Sequence, residues 1–347
     1  MSREEKKVIV DLITPMQENE RIDWEGLEKL INFLIKQVKG ILLLSPTAER
    51  ANLGPSEIYE IMDKFIPIIS QECLCAVHLT GQNLDNDCEI AYIAEKRGAQ
   101  ALDLGNPYCP GPGSIQFAEY IKTISQNFPG MRIIPKIVHT SSTSHLQPET
   151  VAELIRDEEG PNIKEVRMVD GNRIILEKLN RLYPKEKIEI LSDDGYYVTQ
   201  KFKLYDQKPE GIVSIIANFL PQKMETVASV RENTTVGKNL EGFLKIVSIT
   251  TSESSEFGQF RNKYLNPGPI KTIMNTLGLP AGPCRPPAGT PTEKAFKRII
   301  EEISVARKSD RYFFQELEDY FGIDSSQKQF EAIEKMKQKN NNQAKEL

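Results

Sequence analysis

Short runs of aliphatic and β-branched residues recur along the chain, and between them the apolar period changes from two toward 3.6. The runs are Val8–Leu12, Gly40–Leu44, Leu74–Leu79, Ala101–Leu104, Ile133–Val138, Ile163–Val169, Ile188–Ser192 and Gly211–Ile215. They read as eight candidate strands. Trp24, Leu27, Leu30, Ile31 and Leu34 follow the i, i+3, i+4, i+7 rule of a helix with one buried stripe, and Ile115, Ala118, Ile121 and Phe128 follow it more loosely. Pro55 in Gly54-Pro55-Ser56-Glu57 and Pro148 in Gln147-Pro148-Glu149-Thr150 mark first helical turns, where a missing N–H leaves no bond unmade.

Strands that alternate with helices pair in parallel, because each return crossing needs a helix's worth of chain. Such units over residues 1–220 predict an α/β chain built as a (β/α)₈ TIM barrel. The rival is an open doubly wound sheet, which would carry a Gly-rich phosphate loop after its first strand; Leu12-Ile13-Thr14-Pro15 has no glycine. Beyond Pro221 the strand signal fades. Residues 221–325 predict a C-terminal helical appendage packed on the barrel, broken at Asn266-Pro267-Gly268-Pro269 and Pro283–Pro291, and 326–347 a helical tail that frays.

A chain of 347 residues buries about three quarters of its unfolded surface without needing staples. Net charge is −5 with acids and bases interleaved, which excludes the basic cluster of a nucleic-acid-binding face. Apolar runs such as Ile41–Leu44 and Ile212–Ile216 are far below the roughly 20 residues that span a bilayer, so no membrane partner is expected. Met1–Val8 is charged, with no apolar stretch behind it, and the five cysteines show no disulfide-framework spacing. A cytoplasmic protein is the expectation. Cys73-Leu74-Cys75 has no second Cys/His pair at zinc spacing and reads as packed core thiols, and Cys109 as an inert loop thiol. His78 and His145, with the third histidine, His139, form no metal motif, and Asp193-Asp194-Gly195 reads as turn chemistry. No cofactor and no metal are expected.

Barrel chemistry sits where strands end. Those positions hold Ser45-Pro46-Thr47-Ala48-Glu49, Asn106-Pro107-Tyr108-Cys109, Lys136 followed by His139-Thr140-Ser141, Arg167, and Ser192-Asp193-Asp194. Their order resembles the dihydrodipicolinate synthase / N-acetylneuraminate lyase family across about residues 8–305. The resemblance is carried by Thr14-Pro15, Asp23–Leu34, Ser45–Leu53, Asn106-Pro107-Tyr108, Leu146–Thr150, Asn162–Asn172, Gly211–Asn218, Asn266–Leu279 and Arg285-Pro286-Pro287. It implies a class I aldolase-type barrel, a lyase that joins a lysine to a 2-oxo acid as an imine, and a homo-oligomer, dimer or tetramer.

The departures are specific. Asn162-Ile163-Lys164-Glu165-Val166-Arg167 sets Arg167 where the family has its imine-forming lysine, and a guanidinium has no amine lone pair to offer. Lys136 stands where the family has its catalytic tyrosine, Ser141 at its carboxylate-binding arginine, Pro46 at a proton-relay threonine, and Cys109 at the tyrosine lent by a neighbouring subunit. An ordinary dihydrodipicolinate synthase is therefore not expected. Two readings stand. In the first, the amine has moved to Lys136. Arg167 then holds the carboxylate of a small acid, Thr47, Ser141 and Glu49 line the substrate, and His139 or Tyr108 carries the proton. In the second, Lys136 and Arg167 are solvated by Glu165 and by Glu49 or Asp103 in a non-catalytic barrel that binds a small acid or regulates.

Overall fold

In the computed structural model, the residues described are 6–105, 113–138, 146–156, 162–169, 173–183, 188–194, 209–229, 239–240, 242–243, 267–288 and 293–343. Eight strands form one sheet: β1 (Val8–Asp11), β2 (Gly40–Leu43), β3 (Leu74–Leu79), β4 (Ala101–Leu104), β5 (Arg132–Val138), β6 (Glu165–Val169), β7 (Glu189–Asp193) and β8 (Gly211–Ser214). Each pairs in parallel with the next, and β8 returns to β1, so the sheet closes. The expected barrel is the observed one, and every predicted strand lies within one or two residues of its observed limits.

Described helices follow in chain order: α1 (Trp24–Leu34), α2 (Pro55–Glu72), α3 (Leu84–Arg97), α4 (Ser114–Asn127), α5 (Pro148–Arg156), α6 (Arg173–Leu182), α7 (Pro221–Ser229), α8 (Gly268–Leu277), α9 (Glu293–Ser309), α10 (Gln315–Phe321) and α11 (Ser325–Gln343). Pro55 and Pro148 open α2 and α5, as the sequence pattern required. The chain divides into two compact units, one of Met1–Leu12 with Leu34–Asn233, the other of Ile13–Phe33 with Thr234–Leu347.

The first unit contains the barrel. Alternation along a strand sends every second side chain inward, and one layer of the interior is apolar: Ile9, Leu42, Ala76, Ala101, Ile134, Leu191 and Val213 pack as one cluster. On the side toward the strand starts, buried Glu165 takes a hydrogen bond from Arg132 Nη1 at 3.0 Å. Glu225 of α7 accepts from the backbone N–H groups of Lys7 and Val8 at 2.9 and 3.0 Å, satisfying donors at the start of β1. In the second unit, Phe33 of α1 packs at a tilt against Tyr320 and edge-on to Phe321, at 5.0 and 5.2 Å between centroids. There Arg307 lies over the Phe314 ring at 5.0 Å and pairs with Glu318 at 3.4 Å.

Candidate active site

Two residues further along the strands, in the direction of their C-terminal ends, the inward positions change character. Ile9 is followed by Asp11, Ala76 by His78, Ala101 by Asp103, Ile134 by Lys136, and Leu191 by Asp193; β6 supplies Arg167. A charged layer therefore sits directly on an apolar one, which sharpens every electrostatic interaction within it.

Lys136 and Arg167 are register partners on β5 and β6. Asp103 joins them: its Oδ2 is 3.7 Å from Lys136 Nζ and its Oδ1 3.5 Å from Arg167 Nη1. Arg167 Nη2 also donates to Asp11 Oδ2 at 3.2 Å, and Asp11 Oδ1 accepts from the Ser45 hydroxyl. His78, register partner of Asp103, brings Nδ1 to 2.7 Å from Asp103 Oδ2. Lys136 keeps 12% of its side chain exposed, Arg167 8% and Asp103 3%. Three carboxylates, Asp11, Asp103 and Asp193, bear on the two cations of this layer, Asp193 through the Arg167 charge. Even so, Nε and Nη1 of Arg167 are buried with no hydrogen-bond acceptor among the described residues.

Burial lowers the pKa of Lys136; Asp103 opposes that, and the Arg167 charge adds to it. Burial would raise the Asp103 carboxyl, but the charges of Lys136 and Arg167 and the His78 hydrogen bond outweigh it and hold it well below the usual carboxylate range. Burial and then the Lys136 charge lower His78 against the pull of Asp103. For Arg167, burial alone would lower the pKa, and Asp103 and Asp11 more than reverse it.

Thr47 and Glu49 are buried in the loop after β2, where Thr47 N–H donates to Ser45 Oγ at 3.0 Å and Glu49 adopts a left-handed φ of 58°. Tyr108, His139 and Ser141 lie outside the described residues, as do Cys109 and His145. The network expected around the two cations uses Asp103, whereas Glu165 sits one layer lower, on Arg132. Asp11 was absent from the sequence expectation, and His78 entered it only as one of three histidines that form no metal motif. Asp194, at the end of β7, is buried and accepts from the N–H groups of Ile215 and Ile216 at 2.6 and 3.2 Å; burial pushes its carboxyl up to about 7. Cys73 and Cys75 are free thiols in or beside β3, both raised in pKa by burial, Cys73 to about 12. Among the described residues, no group of three or more His, Cys, Asp or Glu is placed to hold a metal ion, and no helix is long and apolar enough to cross a membrane.

The model of the dihydrodipicolinate synthetase family matches residues 4–306. A 4-hydroxy-tetrahydrodipicolinate synthase of Methanocaldococcus jannaschii is 26% identical over 299 residues, covering 86% of this chain and 97% of that protein. The corresponding synthase of Methanococcus maripaludis is 27% identical over 278 residues, 80% of this chain and 90% of its own length. Among solved structures, the synthase of Methylacidiphilum fumariolicum SolV shares the fold at TM-score 0.74 with 18% identity, over 90% of this chain and 99% of that one.

Proposed function

This chain belongs to the dihydrodipicolinate synthetase family, whose members are aldolase-like lyases, and from that premise we propose that it acts on a 2-oxo acid or sugar acid through an imine formed by Lys136, with Arg167 holding the acid's carboxylate. One observation carries the reading. Among the described residues, the only primary amine in the charged layer lies beside Arg167, and both are bridged by Asp103. An imine needs a neutral amine to attack the carbonyl carbon, and burial with a neighbouring guanidinium favours that form of Lys136. A substrate carboxylate would supply hydrogen-bond acceptors to Arg167 Nε and Nη1, which have none among the described residues. The chemistry would then differ from that of an ordinary dihydrodipicolinate synthase, because nucleophile and cation have exchanged strands.

In this reading Thr47, Glu49 and Ser141 line the substrate, and His139 and Tyr108 are candidates to carry protons. Family likeness leads us to propose a homo-oligomer as well, a dimer or tetramer that sedimentation would resolve. A second reading, a non-catalytic binder of small acids, is favoured by the pairing of Arg167 with Asp11, which already neutralises that cation. Incubation with pyruvate and borohydride separates the two. A reduced adduct mapped to the Lys136 peptide supports the lyase. Pyruvate that raises the melting temperature yet leaves no adduct supports the binder.

A further inference from the structure

Three non-glycine residues among those described have left-handed backbone, and two of them, Leu44 at φ 59° and Glu49 at φ 58°, bracket Ser45–Ala48. That angle brings Cβ close to the carbonyl oxygen that follows, so it persists only where neighbouring contacts enforce it. At Leu44 the turn has an identifiable result. Leu42 is the β2 member of the apolar layer, and strict alternation would bring Leu44 to the charged layer. Instead the alternation ends there, and buried Ser45 reaches Asp11. A hydroxyl has one donor and two lone pairs, and a carboxylate only accepts. The Ser45 proton therefore goes to Asp11 Oδ1, while its oxygen accepts from Thr47 N–H at 3.0 Å. Asp11 Oδ2 accepts from Arg167 Nη2 at 3.2 Å, and the Asp11 main-chain carbonyl from Asn218 Nδ2 at 2.8 Å.

Resting on the reading that Arg167 holds the carboxylate of a 2-oxo acid, we propose that Ser45 is a positioning residue for that carboxylate, joining Thr47 and Arg167 into one clamp through Asp11. Thr47 comes from the loop after β2 and Arg167 from β6, so no single element sets their separation. The bonds through Ser45 and Asp11 set it. Asp11 occupies Nη2 of the guanidinium and leaves Nε and Nη1, which have no hydrogen-bond acceptor among the described residues, to the incoming acid. Without the Ser45 hydroxyl, Asp11 loses one of its two side-chain partners and the Thr47 N–H loses its acceptor. The ordering that the clamp supplies before binding would then fall on the binding step. The left-handed turn at Leu44 is what delivers the hydroxyl.

A double-mutant cycle of Ser45→Ala and Arg167→Met tests this, with pyruvate binding read by titration calorimetry and the Lys136 adduct by borohydride trapping. Ser45→Ala is expected to raise the half-saturating pyruvate concentration by about 5–30-fold, the worth of a hydrogen bond to a charged group, with adduct yield at saturation within about twofold. In the Arg167→Met background the same change is expected to move it by less than about twofold, because the clamp is already broken. An equal shift in both backgrounds overturns the inference, since Ser45 would then act on the fold alone. An unshifted Ser45→Ala, or one that loses its adduct at saturation, overturns it as well. If the alanine variant does not fold, Ser45→Cys, which keeps a weaker donor, carries the cycle; a smaller shift is expected and the same results overturn the inference. Pyruvate that binds the unsubstituted protein without any adduct overturns the imine reading and leaves the cycle to calorimetry. Pyruvate that neither binds nor reacts overturns the carboxylate reading, and this inference with it.

Discussion

Asp103 sets the charge balance at the barrel mouth, touching Lys136, Arg167 and His78 at once. Its carboxyl is held low by the two cations and the histidine, so the stability it contributes is fully present above its unfolded pKa of roughly 4 and is lost as pH falls through the folded value. Asp103→Asn is expected to cost about 3–5 kcal/mol at neutral pH, because it strands buried cations, and to erase part of the acid limb of urea stability curves. Arg167→Met is expected to raise the KM for a 2-oxo acid by about 10–100-fold, the worth of a charge-assisted pair. Since the Arg167 charge lowers the Lys136 pKa, removing it also moves the rise of adduct formation to higher pH, which trapping across a pH series would show. Lys136 and Arg167 were legible as a converging pair because both occupy strand positions of known parity. Asp11 was not, although the same period of two, read onward from Ile9, leads to it; a carboxylate at a strand end resembles ordinary turn chemistry when its lumen partners are unknown.

Elements were easier to read than residues, because eight apolar runs with helical patterns between them leave few topologies open. Where the reading was blurred, side chains close the strand ends in ways no periodicity records. Asp194 ties the end of β7 to the N–H groups that follow β8. Burial raises its carboxyl to about 7, above the unfolded value near 4, so its charged form is disfavoured in the fold. The sign is opposite to that of Asp103: the contribution is full at low pH and is lost as pH rises from about 4 to about 7, by a few kcal/mol. Asp194→Asn keeps an acceptor for both N–H groups and is expected to flatten that slope in denaturant titrations. At the other end of the barrel, Glu225→Ala leaves the Lys7 and Val8 donors without their partner and is expected to cost about 1–3 kcal/mol.

At the scale of the whole chain, the family match ends at residue 306, and α10 and α11 lie beyond it. They belong to the second unit, where Tyr320 and Phe321 cover Phe33, and Arg307 meets Glu318 and the Ser325 hydroxyl. Ending the chain after Ser309 would expose that aromatic cluster and strand Arg307, so thermal unfolding is expected several degrees lower. The sequence predicted helices over 221–325 but not what α10 covers, since ring contacts between residues nearly 300 apart leave no local pattern. The proposed imine chemistry rests on a swap of nucleophile and cation between β5 and β6. Peptide mapping after borohydride reduction with pyruvate tests it most directly, on the unsubstituted chain beside Lys136→Arg. One reduced adduct is expected, on Lys136, absent from the variant; an adduct on any other lysine, or undiminished turnover in Lys136→Arg, would overturn the swap.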